Sequence, residues 1–199
     1  MNYFTISTVS TGEFRDKGSK FFAFFHPIES LDNYKANLEH YKAAHPKACH
    51  ICSAYRLYSN GQLDEYASDD GEPHGSSGPP ILNSIKRHEI INVAIYVVRY
   101  FGGTKLGIPG LINAYACGAE DALLNIAKGS WKPTTLLSVE HGYEHASIMD
   151  IVLAKFQGNI VNQEFGEIIE TSIQLDEGLE LEFDKFLFEK SNGKLSIKR

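Results

Sequence analysis

Chemistry-bearing residues gather in two stretches of this chain. The first, Ser68-Asp69-Asp70-Gly71-Glu72-Pro73-His74-Gly75-Ser76-Ser77-Gly78-Pro79-Pro80, sets three carboxylates within four positions. Such a cluster suits a hard cation such as magnesium, although the spacing is not that of an EF-hand loop. The same residue types also brace turns by accepting hydrogen bonds from nearby backbone N–H groups. A partner-binding surface is the third reading. The second stretch, Arg99-Tyr100-Phe101-Gly102-Gly103-Thr104-Lys105-Leu106-Gly107-Ile108-Pro109-Gly110, leaves an apolar run and enters a helical pattern. A junction of this kind can present backbone N–H groups at a helix N-terminus to an anion, with Arg99 and Lys105 adding charge. Alternatively, the glycines serve only a tight turn with close packing.

Several familiar chemistries are excluded. Lys105 is followed by Leu106-Gly107, whereas a Walker-A lysine runs directly through Ser or Thr into its helix. A dinucleotide fingerprint is also absent, so no cofactor is implied. Neither a Gly-x-Ser-x-Gly elbow nor a His-Glu-x-x-His helix occurs. Cys49-His50-Ile51-Cys52 has redox or zinc spacing, but residues three apart on a strand face opposite sides, and no second Cys pair exists. Cys52 is expected to be buried and Cys117 to lie in the core. His50, Cys52, Ala54 and Arg56 share one strand face, from which His50 and Arg56 are expected to reach the acidic loop, His50 pairing with Asp69 or Asp70. The candidate binding residues are His50, Arg56, Asp69, Asp70, Gly71, Glu72, Pro73, Ser76, Arg99, Tyr100, Gly102, Gly103, Lys105 and Gly107. No catalytic residue and no metal ligand is assigned.

These residues need elements to hold them. Tyr3–Val9, Lys20–His26, Cys49–Tyr58 and Leu63–Ala67 read as strands, with Asn60-Gly61 as a hairpin turn. Ser30 is a candidate N-cap for a helix carrying Leu31, Tyr34, Leu38 and Tyr41. Pro79 and Pro80 suit the first turn of a helix over Ile81–His88. Ile90–Tyr100 is a near-continuous apolar run, expected to be a strand covered on both faces. A helix over Leu111–Ala127 and a linker over Lys128–Pro133 follow. From Thr135 the order is β-α-β-β-α-β, that of a ferredoxin-like sandwich. Its first helix carries Ile148, Ile151, Val152 and Phe156, two strands flank Phe165–Ile169, and a helix over Leu179–Lys190 precedes a last strand, Lys194–Ile197. The class is α+β, with domains at 1–130 and 134–199.

Composition fits this picture: 43% hydrophobic and 22% charged residues describe a globular chain. The longest apolar run ends at Arg99, far short of the roughly 20 residues a membrane span needs. Three cysteines make no disulfide framework. With no signal-peptide pattern at the start, a cytoplasmic protein is expected. Of 25 acidic residues, twelve follow Thr135, against six of the 19 Lys/Arg. The whole net charge of −6 therefore lies in the last third. Contact with RNA would have to be local, through Lys86, Arg87, Arg99 and Lys105.

The segments His50–Arg56, Ser68–Pro73, Val97–Gly103, Leu106-Gly107 and Ala114-Tyr115, in that order, resemble the IMPACT family and its bacterial YigZ-type members. Two departures stand out: Pro109-Gly110 where many members have Gly-Gly, and Asn113 where Arg is common. The resemblance implies a first domain similar to domain 2 of ribosomal protein S5, and a ferredoxin-like second domain. Together they look like domains IV and V of elongation factor G. Eukaryotic relatives act in translational control by competing for the activator of a starvation-responsive kinase. A non-enzymatic, translation-associated or regulatory binding protein is implied, contacting the ribosome, RNA or a translation-related protein. Two other readings stay open. One is a metal-dependent hydrolase using Asp69, Asp70 and Glu72 with His50. The other is a protein-interaction module on the second domain, around Phe183–Phe188, although Phe183, Phe186 and Leu187 have the spacing of core residues.

Overall fold

A computed structural model describes residues 3–59, 61–124 and 126–198, in two compact units, Met1–Trp131 and Lys132–Arg199. The first unit begins with β1 (Tyr3–Thr5), β2 (Ser10–Asp16), β3 (Ser19–Pro27), α1 (Leu31–Ala44), β4 (His50–Ser59) and β5 (Gln62–Ser68). It continues with α2 (Gly78–Arg87), β6 (Val93–Tyr100), α3 (Gly107–Leu123) and β7 (Gly129–Trp131). Five strands form an antiparallel sheet in the order β2-β3-β6-β4-β5.

The continuous apolar run is explained by the central place of β6. Val93, Ile95 and Val97 join the core under α2 and α3, with Phe21, Phe25, Ile81, Ile85 and Tyr115. Ala94, Tyr96 and Val98 face the other way, into a Tyr-rich core under α1 with Tyr34, Tyr41 and Tyr55. Ser30 caps α1 as its type suggests, its side chain accepting from the Asn33 N–H. Tyr hydroxyls buried on this face find partners: Tyr96 donates to the Tyr34 carbonyl, and Tyr34 bonds Ser53.

Some boundaries differ from expectation. β2 was not anticipated: half-buried and exposed positions alternate along a largely polar edge strand, which leaves only a weak apolar signal. β7, read as linker, pairs with β1. α2 starts at Gly78 rather than Ile81, and α3 starts at Gly107, taking Pro109 into its first turn, where proline is tolerated. α3 stops at Leu123 instead of Ala127. The expected Asn60-Gly61 turn includes Asn60, which lies outside the described residues; Ser59 pairs with Gln62.

The second unit comprises β8 (Thr134–His141), α4 (Ala146–Phe156), β9 (Asn159–Phe165), β10 (Ile169–Asp176) and α5 (Glu180–Lys190). Its sheet order, β8-β10-β9, is that of the first three strands of a split β-α-β arrangement. Val139, Met149, Val152, Ile173, Phe183 and Leu187 form its core, and Phe186 packs against them. Ile151 is 54% exposed, contrary to the expected apolar register. Lys194–Ile197 is not a strand. Ser191 Oγ takes the Leu195 N–H and the Asp184 carboxylate takes that of Ile197, while the Lys198 N–H donates to the Ser138 carbonyl of β8.

One glycine decides where the second chemical stretch sits. A Cβ at Gly102 would lie 1.9 Å from the Gly18 carbonyl carbon in the β2–β3 turn, whereas at Gly103 it would meet nothing within 4 Å. Gly103 has φ +88° and relies on glycine only for that conformation. Gly102→Ala is expected to cost about 3 kcal/mol or more through forced backbone displacement. Gly103→Ala should cost roughly 1 kcal/mol. Thermal unfolding of both variants checks the ranking.

Candidate functional site

The two stretches meet at one end of the sheet. His50, at the start of β4, pairs with Arg99 near the end of β6, and Ser68, the last residue of β5, pairs with Ser53. The loops after β5 and β6 therefore leave the sheet on the same side. Glu72 bridges them. Its Oε1 accepts from Arg99 Nη1 and, at 2.8 Å, from the Tyr115 hydroxyl on α3. The Glu72 and Arg99 side chains are only 3% and 8% exposed. The Arg99 guanidinium lies 5.6 Å from the Phe21 ring centre and 5.7 Å from that of Phe101. Burial, with Cys52 and Glu72 close by, pushes the Tyr115 hydroxyl far upward, so it stays a donor.

Beside this pair lies a cleft of about 440 Å³. Arg99, Glu72, Lys105, His50 and Cys49 supply its polar lining; Phe101, Leu106, Ile108, Leu111 and Pro73 supply apolar walls; Gly107 opens α3 at its edge. Among the described residues no side chain caps the α3 N-terminus. Among the described residues Lys105 makes no ion pair, whereas Lys86 is paired with Glu65 and Arg87 with Glu120.

The acidic loop is organised by its own carboxylates. Asp69 accepts from the backbone N–H groups of Gly75 (2.7 Å), Ser77 (3.0 Å) and Gly78 (2.8 Å), and from the Ser77 hydroxyl. It thereby closes the loop and serves the N-terminus of α2. Burial alone would raise the Asp69 carboxyl; these donors outweigh it and hold the group below the usual carboxylate range. Asp70 accepts the Ile51 N–H at 2.7 Å through its carboxylate and a bond from His50 Nδ1 through its carbonyl. That bond fixes the proton on Nδ1 and leaves Nε2 as the ring's other polar atom. Ser76 Oγ donates to the Pro73 carbonyl. Gly71, at φ +85°, lies against the His50 ring, where a Cβ would sit 3.6 Å away. Among the described residues, no three His, Cys, Asp or Glu side chains group to hold a metal.

Of the residues singled out from sequence, His50, Glu72, Pro73, Arg99, Lys105 and Gly107 line the cleft. Asp69, Asp70, Gly71 and Ser76 form the loop behind it, Gly102 fixes the corner, and Gly103 lies open. Two are misplaced. Arg56 bonds Glu65 and the Ile90 carbonyl at the far end of β4, six residues and roughly 20 Å along the strand from His50. Tyr100 faces the α1 side, its hydroxyl on His45, because neighbours on a strand point to opposite faces. The expected His50–carboxylate ion pair is a bond to a carbonyl instead. Cys52 is buried as expected, and burial pushes its thiol up to about 12, so it stays protonated at neutral pH. Cys117 is half-buried, with its thiol on Asn113, rather than in the core. Sequence reasoning gave no site role to Tyr115 or to the apolar walls other than Pro73. A Tyr in the buried Leu111, Tyr115, Ala119, Ala122 stripe of α3 was the available signal, since a buried hydroxyl needs a partner.

Residues 17–123 match the Impact N-terminal domain family. A protein of Haemophilus influenzae named IMPACT family member is 32% identical over 91% of this chain and 88% of its own length. The IMPACT family member YigZ of Escherichia coli is 29% identical over 91% and 89%. A crystal structure of a hypothetical protein superposes with a TM-score of 0.70 at 27% identity, covering 98% of this chain and 96% of the other. No described helix is long and apolar enough to cross a membrane.

The Asp69 brace carries a pH signature. Its folded-state pKa is depressed, so its stabilisation is complete above the ordinary carboxylate range and is lost as pH falls through the folded value. Asp69→Asn places an amide donor against backbone donors and is expected to cost roughly 2–4 kcal/mol at neutral pH. Between about pH 5 and pH 2 the Tm of the unsubstituted chain should fall more steeply than that of the variant. Parallel acid limbs would contradict the brace.

Proposed function

The chain belongs to the IMPACT family, and from that premise we infer that it is a non-enzymatic, translation-associated binding protein whose contact surface is the two-loop end of the first unit. The observation that carries this reading is how the acidic loop uses its carboxylates. Asp69 is engaged by the loop backbone, Asp70 by Ile51, and Glu72 by Arg99 and Tyr115. These bonds put the carboxylates to use in shaping a surface, and among the described residues no three His, Cys, Asp or Glu side chains group to hold a metal, which favours binding over the hydrolase alternative. What the surface offers outward is Lys105, an uncapped α3 N-terminus and exposed Phe101 and Ile108. The translational setting comes from the family, whose eukaryotic members the resemblance links to translational control. In this reading the first unit corresponds to domain 2 of ribosomal protein S5 and the second to domain V of elongation factor G.

Co-sedimentation with ribosomes tests the reading. The unsubstituted chain is expected to pellet at low salt and to be released as salt rises, because the contact is electrostatic. Lys105→Glu should weaken pelleting. A chain that stays in the supernatant at low salt, with Lys105→Glu behaving identically, overturns the ribosomal reading.

A further inference from the structure

The Arg99 guanidinium has one engaged end and one idle edge. Nη1 donates to Glu72, and among the described residues no bond from Nε or Nη2 is made. Nε is buried without a partner, in a residue only 7% exposed. Nε and Nη2 form the side of a guanidinium that takes a carboxylate through two parallel N–H···O bonds. Its other close neighbours include the Phe21 and Phe101 rings, 5.6 and 5.7 Å from the guanidinium carbon, which offer no oxygen acceptor to that edge. An idle buried donor is costly for a fold to keep.

Charge and shape narrow the ligand. Arg99 and Lys105 set against Glu72 leave the cleft one positive charge, to which the uncapped α3 N-terminus adds a fraction of another. That balance suits a single negative charge better than a phosphate dianion. Apart from these charged groups, His50 and Cys49, the side chains of the lining are apolar: Phe101, Leu106, Ile108, Leu111 and Pro73. A volume of about 440 Å³ is that of a small-molecule site. We propose that this cleft binds a small organic monocarboxylate with an apolar body, its carboxylate on the Nε–Nη2 edge of Arg99 and beside Lys105, its body against Leu106, Ile108 and Leu111. The proposal deepens the reading above by giving its contact surface a small-molecule ligand.

The test is a titration of the intact chain, followed by backbone and Arg Nε–H NMR signals. The probes are 4-methylpentanoate, the isosteric alcohol 4-methylpentan-1-ol and inorganic phosphate. Saturable shifts with the carboxylate at Arg99 Nε–H, His50 and Gly107 are expected, with binding at least tenfold tighter than for the alcohol. Lys105→Ala, at an exposed position, should weaken the carboxylate about tenfold without unfolding the chain. Ile108→Asp, also exposed, should abolish binding. Equal binding of alcohol and carboxylate, tighter binding of phosphate, or shifts confined to other surfaces would overturn the proposal. Ribosome co-sedimentation is scored separately. A chain that binds the carboxylate without pelleting keeps this site and loses the ribosomal reading. One that pellets without binding the carboxylate loses only this site.

Discussion

Two opposite charges buried together impose the strongest constraint on this end of the molecule. Arg99 and Glu72 come from segments joined only through α2 and the sheet, and both are nearly removed from water. Desolvating such groups is expensive, and their attraction offsets it only with good geometry and further hydrogen bonds. Tyr115 supplies one of those bonds from α3. Removing either charged partner would leave the other buried and uncompensated, typically at a cost of roughly 3–5 kcal/mol. The acidic loop, the end of β6 and the first half of α3 are thus held together by one polar contact.

The surrounding structure makes that contact possible. Asp69 gathers three backbone donors and so fixes where Glu72 emerges from the loop. Gly102 lets the second loop press against the β2–β3 turn, and the chain then rises into α3 with Lys105 and an uncapped helix start on the cleft side. The negative residues of the loop are spent on internal bonds, while positive groups remain on the outside. A stretch that looks acidic in sequence therefore borders a cleft of positive balance. The excess negative charge of the chain lies after Thr135.

Much of this was legible beforehand, for identifiable reasons. The run ending at Arg99 announced a central strand because both of its faces are buried, and Ser30 announced α1 because capping is a local interaction. Residues near both loops were recognised from their types. Strand parity and rise, applied fully, would have removed Tyr100 and Arg56 from the site, since both rules depend only on position along a strand. The Glu72–Arg99–Tyr115 contact was not legible, because it depends on three-dimensional closure between segments 27 and 43 residues apart. β2 and β7 were missed because short or half-exposed edge strands carry little apolar signal. The last expected strand failed because side chains of α5 and its C-terminal turn captured its N–H groups.

The central claim is that the buried pair couples the two loops mechanically. Amide hydrogen exchange in Arg99→Met, compared with the unsubstituted chain, measures this directly. The account predicts that protection falls together across residues 69–78 and 101–108, while the α1 face of the sheet keeps its protection. Faster exchange in only one of the two loops, or in neither, would contradict it.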